Sequence, residues 1–379
     1  MISYQAITSH IEFPLIGRLS FSAVPSKQRA KTIIVNPILR KSEWKSYQSV
    51  ILSSRGDFDK VRDMGVSAIY FNADISALSE GDIVEIQPAG RLSVLYQIQS
   101  RHNVIFATSK CNSNCIMCPQ PVDNSEGSLT DRNLEIISLM DKCTDDIAIT
   151  GGEPTIIGKD LFRLILACKE LLPNTSLLLL TNARKFSDFD YTHFFSSLQH
   201  PKITIGTSLY SDNDTEHDRI VGSDGAFHET VKGILNLGTF RNRVEIRTVV
   251  HKYTYKRLSR IAEFIYRNMT FVNHIAFMGL ETMGVAKQNL ESLWIEPTDI
   301  SSDLEEAVHY LIQRDMNVSI YNIPLCLLPH TLWNYARQSI SDWKNSFDSK
   351  CLLCNVRGSC SGLFESGIDL YKNYLRPFK

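Results

Sequence analysis

A chain of 379 residues with 43% hydrophobic and 21% charged residues has an ordinary globular composition and length enough for about two or three domains. Its 40 Lys and Arg against 41 Asp and Glu leave a formal net charge of −1, so no global basic field argues for nucleic acid. No apolar run approaches the roughly 20 residues of a membrane span, which sets a membrane partner aside.

The first residues carry no cationic leader ahead of an apolar core, so no secretory signal is visible, and there are nine cysteines, an odd number. Together these give the expectation of reduced thiols in a cytoplasm, serving as ligands or core. Up to about residue 100, short β-branched runs recur at Thr32 to Val35, Val66 to Tyr70, Ile83 to Ile86 and Leu92 to Ile98. Turn signals such as Ser79-Glu80-Gly81-Asp82 and Pro88-Ala89-Gly90 separate them. The expectation is a small β-rich domain over 1–100, a partial barrel, with a hairpin from Asp82 to Tyr96.

From Val104 the rhythm becomes strand then helix. Apolar runs at Val104 to Ala107, Ile147 to Thr150, Leu177 to Leu180, Ile203 to Leu209, Val244 to Val250 and His274 to Leu280 alternate with helical patterns such as Leu161 to Leu172, Ser187 to Leu198, Phe227 to Leu237 and Tyr255 to Arg267. Such alternation implies parallel strands joined by right-handed crossovers. The fold class expected is α/β, an open (β/α)6 partial barrel over 101–295. A region over 296–379 follows, with a helix through Ser302 to Arg314, a last strand at Val318 to Ile323 and a cysteine-rich tail.

The unusual motifs sit directly after strands, where parallel α/β folds gather ligands. Cys111, Cys115 and Cys118 stand as C-x3-C-x2-C behind the first strand, with no histidine or fourth cysteine nearby to close a tetrahedral zinc site. Three ligands suit a cubane iron–sulfur cluster with one iron left open. Gly151-Gly152-Glu153-Pro154 ends the second strand, and Thr181-Asn182 the third. In the tail, Cys326, Cys351, Cys354 and Cys360 suffice to close a second site, and their spacing alone leaves an iron–sulfur cluster and a structural zinc both open. Cys143 and Cys168 lie among apolar neighbours and read as core, and His102 and His251 read as structural.

C-x3-C-x2-C followed by Gly-Gly-Glu-Pro resembles the radical S-adenosylmethionine (radical SAM) superfamily. That resemblance implies a 4Fe–4S cluster on Cys111, Cys115 and Cys118. Its fourth iron chelates S-adenosylmethionine, whose reductive cleavage gives a 5′-deoxyadenosyl radical for hydrogen abstraction. It also implies cofactor contacts at Gly151 and Gly152, a turn shaped by Glu153, and polar contacts at Thr181 and Ser208. Arg247 matches more loosely, as a partner for the carboxylate. Met117 stands where many relatives have an aromatic residue, and a thioether can pack on adenine. The tail resembles the SPASM or twitch extension of peptide-modifying members, which favours a second cluster over zinc.

The runs C-N-S-N-C-I-M-C-P-Q-P, Y-N-I-P-L-C and S-I-S-D-W-K are similar to those of the His-Xaa-Ser system radical SAM maturase, C type. That likeness implies post-translational maturation of a ribosomally made precursor peptide with His-Xaa-Ser repeats. The partners it implies are a second radical SAM maturase, a small accessory protein and an electron donor such as flavodoxin or ferredoxin. The competing readings are radical SAM chemistry on RNA or a small metabolite, and a non-catalytic cluster- or zinc-binding scaffold.

Overall fold

The structure is a computed structural model describing residues 3–37, 41–72, 75–120, 122–125, 127–339 and 344–379. Pro121 and Ile340 to Trp343, which belong to two of the runs that carry the family resemblance, lie outside the described residues. The chain divides into two compact units, one of Met1–Ile105, Leu129–Ile147 and Leu166–Thr175, the other of Phe106–Ser128, Ala148–Ile165 and Ser176–Lys379.

The first unit is built on an eight-stranded sheet of β1 (Ser3–Gln5), β2 (Ile7–Ser9), β3 (Leu15–Ser20), β4 (Thr32–Val35), β5 (Ser49–Leu52), β6 (Ala68–Tyr70), β7 (Ile83–Ile86) and β8 (Arg91–Tyr96). Their order is β1-β8-β7-β3-β4-β5-β6-β2. The centre, β3 to β6, is parallel, and the flanking pairs are antiparallel. Thr32 to Val35 is buried at every position because both faces of that strand are covered. Ile33 and Val35 join a cluster with Ile51, Ile69 and Val84. Ile34 joins the opposite cluster with Val50, Ala68 and with Phe58 and Val61 of helix Arg55–Asp63. Ser54 caps that helix by accepting from the Asp57 amide. The expected hairpin is present as β7 and β8, with Gly90 at φ 85° in its turn. The open row of strands with its parallel centre differs from a partial barrel, since short buried strands show no alternation to betray their partners.

The second sheet has the order β16-β15-β14-β13-β12-β11-β10-β9. Its strands are β9 (His102–Phe106), β10 (Asp146–Thr150), β11 (Ser176–Thr181), β12 (Ile203–Ser208), β13 (Arg243–Val249), β14 (His274–Met278), β15 (Val318–Tyr321) and β16 (Ala336–Arg337). From β11 to β16 every neighbouring pair is parallel. The sheet thus runs two strands beyond the six expected: β15, legible as the last strand, pairs directly with β14, and the two residues of β16 give no readable pattern. Asp188 caps helix Phe189–Ser197 through the Tyr191 amide, and Asn213 caps helix Asp214–Val221, which ends on left-handed Gly222. Among the described residues no helix is long and apolar enough to cross a membrane.

Candidate metal and cofactor site

The loop after β9 is sewn to the turn after β10 by backbone alone. Ala107 N donates to Thr150 O at 2.7 Å, Gly152 N to Thr108 O at 2.7 Å, and Glu153 N to Lys110 O at 2.8 Å. A Cβ on Gly151 would fall well inside contact distance of the Thr108 carbonyl, and one on Gly152 would do the same at Lys110. Both glycines are therefore required by the cysteine-bearing segment itself, since only a residue without Cβ lets the two backbones approach so closely.

Glu153 is buried beneath this seam. Its Oε1 accepts from Thr155 N at 2.9 Å, Thr155 Oγ1 at 2.6 Å and Thr181 Oγ1 at 2.7 Å, and its Oε2 accepts from Asn182 N at 2.6 Å. Burial pushes its carboxyl above the usual range, and the four donated bonds oppose that shift. Thr181 Oγ1 also accepts from Ala183 N at 3.0 Å. Both Glu153 and Thr181 are thus engaged in holding the ends of β10 and β11 together.

Cys111, Cys115 and Cys118 are half-buried on this loop. Burial raises all three thiols, Cys115 furthest, to about 12, and the charges of Cys118 and Cys111 add to the effect on Cys115. Thiols that repel one another in a dry site become thiolate ligands when a strong local positive charge compensates them, and iron supplies that charge. The donor set therefore fits a sulfur-ligated cluster. Among the described residues no three His, Cys, Asp or Glu side chains converge as a single-ion site requires. Asn114 N donates to Val221 O, Ile116 N to Ile220 O, and Val285 N to Cys118 O, so the loop is braced along its length.

Two side-chain braces act on the loop, one from Asn182 of the Thr181-Asn182 motif and one from Arg184, which carries no sequence signature. Asn182 Nδ2 donates to Asn112 Oδ1 at 2.7 Å. The Arg184 Nη1 donates to Asn112 O, Ser113 Oγ and Ser223 Oγ, while its Nε pairs with Glu229 at 2.6 Å. Ala183, at φ 59°, turns the chain that aims this guanidinium.

The remaining candidates are dispersed. Met117 is buried with Ile220, Leu280, Ala286 and Leu293, so its side chain is spent on core. Ser208 ends β12 and is half-buried. Arg247 turns toward the amino-terminal end of its strand: its Nε pairs with Glu245 Oε1 at 2.5 Å, and a Cβ on Gly206 would lie 3.2 Å from that Nε. Cys143 is exposed, which corrects the core reading. It follows helix Thr130–Leu139 in a turn, where apolar sequence neighbours do not dictate burial. Cys168 is fully buried.

Cys326, Cys351, Cys354 and Cys360, up to 34 positions apart in sequence, line one pocket together with Pro324, Phe347, Arg357 and Phe378. Burial raises Cys326 and Cys351, and the Cys360 thiol pushes both further. Leu325 N donates to Cys360 Sγ at 3.4 Å.

No family model and no curated protein matches the chain. Among solved structures it is similar to Streptococcus suis SuiB bound to S-adenosylmethionine, at 18% identity and TM-score 0.50 over 65% of this chain and 54% of that one. It is also similar to SuiB bound to precursor peptide SuiA, at 17% identity and TM-score 0.50 over 62% of this chain and 51% of that one. The matched part is thus about half the length of the SuiB chain. The likeness is one of fold.

Proposed function

We propose that the chain is a radical SAM enzyme that modifies a ribosomally made peptide. One observation carries the reading: the three-cysteine loop and the Gly-Gly-Glu-Pro turn are joined by backbone hydrogen bonds that leave no room for a side chain on either glycine. Cys111, Cys115 and Cys118 would hold a 4Fe–4S cluster at the carboxyl end of a partial barrel. When bound, that cluster supplies the electron that cleaves S-adenosylmethionine to methionine and a 5′-deoxyadenosyl radical. The chain's own part is to fix the loop, exclude water and place the substrate. Glu153, Thr181 and Asn182 fix the strand ends, and Met117 with Ile220 and Leu280 keeps the neighbourhood apolar.

The four tail cysteines would hold a second cluster, in the manner of a twitch or SPASM extension. Their shared pocket supports that assignment. A peptide substrate is supported by the likeness to SuiB, whose structures carry S-adenosylmethionine in one case and its precursor peptide SuiA in the other. A precursor with His-Xaa-Ser repeats is the finer form of the same reading.

The test is anaerobic reconstitution with iron and sulfide, followed by S-adenosylmethionine and dithionite. Formation of 5′-deoxyadenosine, abolished by Cys115→Ala, is expected. Intact clusters without any 5′-deoxyadenosine would overturn the reading.

A further inference from the structure

The second cysteine site carries an apolar patch where a turn ordinarily carries polar residues. Cys354 N donates to Cys351 O at 3.2 Å, so Cys351-Leu352-Leu353-Cys354 closes as a 3-10 turn. Side chains at i and i+3 of such a turn lie on one side, and here both are cysteines that line the four-thiol pocket. The two residues between them are left outside that lining, Leu352 67% and Leu353 76% exposed. Among the described residues no other leucine or isoleucine is so open to water.

Basic side chains rim the patch. Lys350, Arg357, Lys372 and Arg376 are all exposed. Lys350 directly precedes the turn, and its Nζ donates to Lys372 O at 2.9 Å, which sets the two lysines side by side. Arg357 N donates to Cys354 O, and its guanidinium lies 5.0 Å from the centre of the Phe347 ring. Arg357 and Arg376 line the same pocket as the cysteines. Asp348 lines it too, with its carboxylate accepting from Lys350 N at 2.8 Å. From 344 to 379 six Lys and Arg stand against three Asp and Glu, in a chain whose formal net charge is −1.

An apolar centre within a polar rim marks a binding surface. Its charge selects an acidic partner. Its position, between two ligands of the proposed second cluster, selects a partner that exchanges electrons there. The proposed reaction needs such a partner, since each cleavage of S-adenosylmethionine consumes an electron.

We infer that Leu352 and Leu353, ringed by Lys350, Arg357, Lys372 and Arg376, form the docking surface for an acidic one-electron carrier protein. The reduced carrier gives one electron to the tail's metal site and leaves oxidised by one, and no bond forms or breaks. A small, charge-steered contact suits a carrier that must leave after every electron. The inference rests on the reading of the four tail cysteines as a cluster.

Calorimetric titration of the reconstituted chain with a plant-type 2Fe–2S ferredoxin, an acidic one-electron carrier, measures docking. A complex is expected whose dissociation constant rises about tenfold or more between about 50 and about 250 mM salt. Leu353→Ser and Lys350→Glu are each expected to weaken it about tenfold. Arg260→Glu changes an exposed residue of another basic stretch, Arg241 to Arg267, and is expected to leave the affinity within about twofold. A complex that Arg260→Glu weakens and the two tail variants do not overturns the inference. So does the absence of a complex with both this ferredoxin and an acidic flavodoxin.

Turnover with two reductants separates docking from the metal chemistry. With sub-saturating reduced ferredoxin, Leu353→Ser is expected to form 5′-deoxyadenosine about tenfold more slowly than wild type. With dithionite, which needs no docking, it is expected to match wild type. Equal losses with both reductants overturn the docking role. Wild-type protein that forms no 5′-deoxyadenosine with dithionite fails the proposed function instead, and the titration still decides the surface. Tail thiols that return zinc without sulfide remove the electron acceptor and overturn the inference, leaving the first site untouched. Self-association that Leu353→Ser abolishes would give the patch to a second copy, against the inference. Binding of a synthetic His-Xaa-Ser repeat peptide that Leu353→Ser weakens about tenfold would give it to the substrate, with the same result.

Discussion

Arg184 Nη1 donates to the carbonyl oxygen of Asn112, the residue next to the first cysteine, at 2.5 Å. The same nitrogen reaches Ser113 and Ser223, and Nε is anchored by Glu229, so one planar cation ties the loop to two further segments. Arg184→Ala should lower iron affinity at the first site about tenfold, the usual cost of losing a support behind the ligands. Arg184→Lys keeps the charge without the fork and should recover only part of it. Iron content and electron paramagnetic resonance of the reduced protein read both, and full occupancy in the alanine variant would refute the role.

Glu153 concentrates four donors on one buried carboxylate. Glu153→Ala leaves all four without an acceptor and should cost about 3–5 kcal/mol of stability, whereas Thr181→Val removes two bonds, to Glu153 and from the Ala183 amide, and should cost about 2 kcal/mol. Urea unfolding of the metal-free protein measures both. Equal losses would mean that the carboxylate is not the centre of this network.

Gly151→Ala and Gly152→Ala each place a methyl against a carbonyl oxygen of the cysteine-bearing strand exit. The segments must part to admit it. Either variant should therefore take up less than about a tenth of the wild-type iron at the first site while keeping iron at the second. Equal occupancy of both sites would contradict the seam.

Removing Cys111, Cys115 and Cys118 together leaves the tail's four thiols, which line one pocket. Metal analysis of that triple variant should return iron and sulfide, and adding Cys354→Ala should abolish them. Zinc without sulfide would replace the second cluster by a structural ion.

Glu245 is held down to about 2 from 4.5, against its own burial, by His274 and Arg247. A depressed folded-state carboxyl binds its proton later than the unfolded chain does. Its stabilisation is therefore fully present above about pH 4.5 and is lost as pH falls through about 2. Glu245→Gln should flatten acid unfolding over that window and leave its alkaline limb unchanged. A variant whose acid unfolding parallels wild type would show that the pairing does not contribute.

Strands from Val104 to Leu280 are readable because each is a short, largely apolar run followed by a helical repeat, and β13 shows Glu245 and Arg247 alternating with buried Val244, Ile246 and Thr248. Three-residue edge strands such as Ser3–Gln5 and Ile7–Ser9 lack length for any pattern, and Ser49–Leu52 reads as a short apolar run without a partner in view. At the site, motif spacing points to cysteines and glycines, yet it cannot say what a glycine makes room for. Here the neighbour is the Thr108–Lys110 backbone. Glu245, His274 and Ser319 come from three strands and converge only through register, so no local spacing announces them.

The two cysteine sets differ in what surrounds them before any metal arrives. The first rides on a seam of strand-end amides and carbonyls made by the backbone itself. The second sits on short 3-10 segments, Ser349–Leu353 and Arg357–Ser359, flanked by an isolated bridge between Ser346 and Leu363 and by scattered bonds such as Asn355 N to Phe378 O. Short segments of that kind would gain order from a metal held by the four thiols. If both sites take clusters as proposed, loading has an order: the receptacle behind the first strand could be charged, emptied and recharged, whereas the tail would lose more of its shape to a chelator.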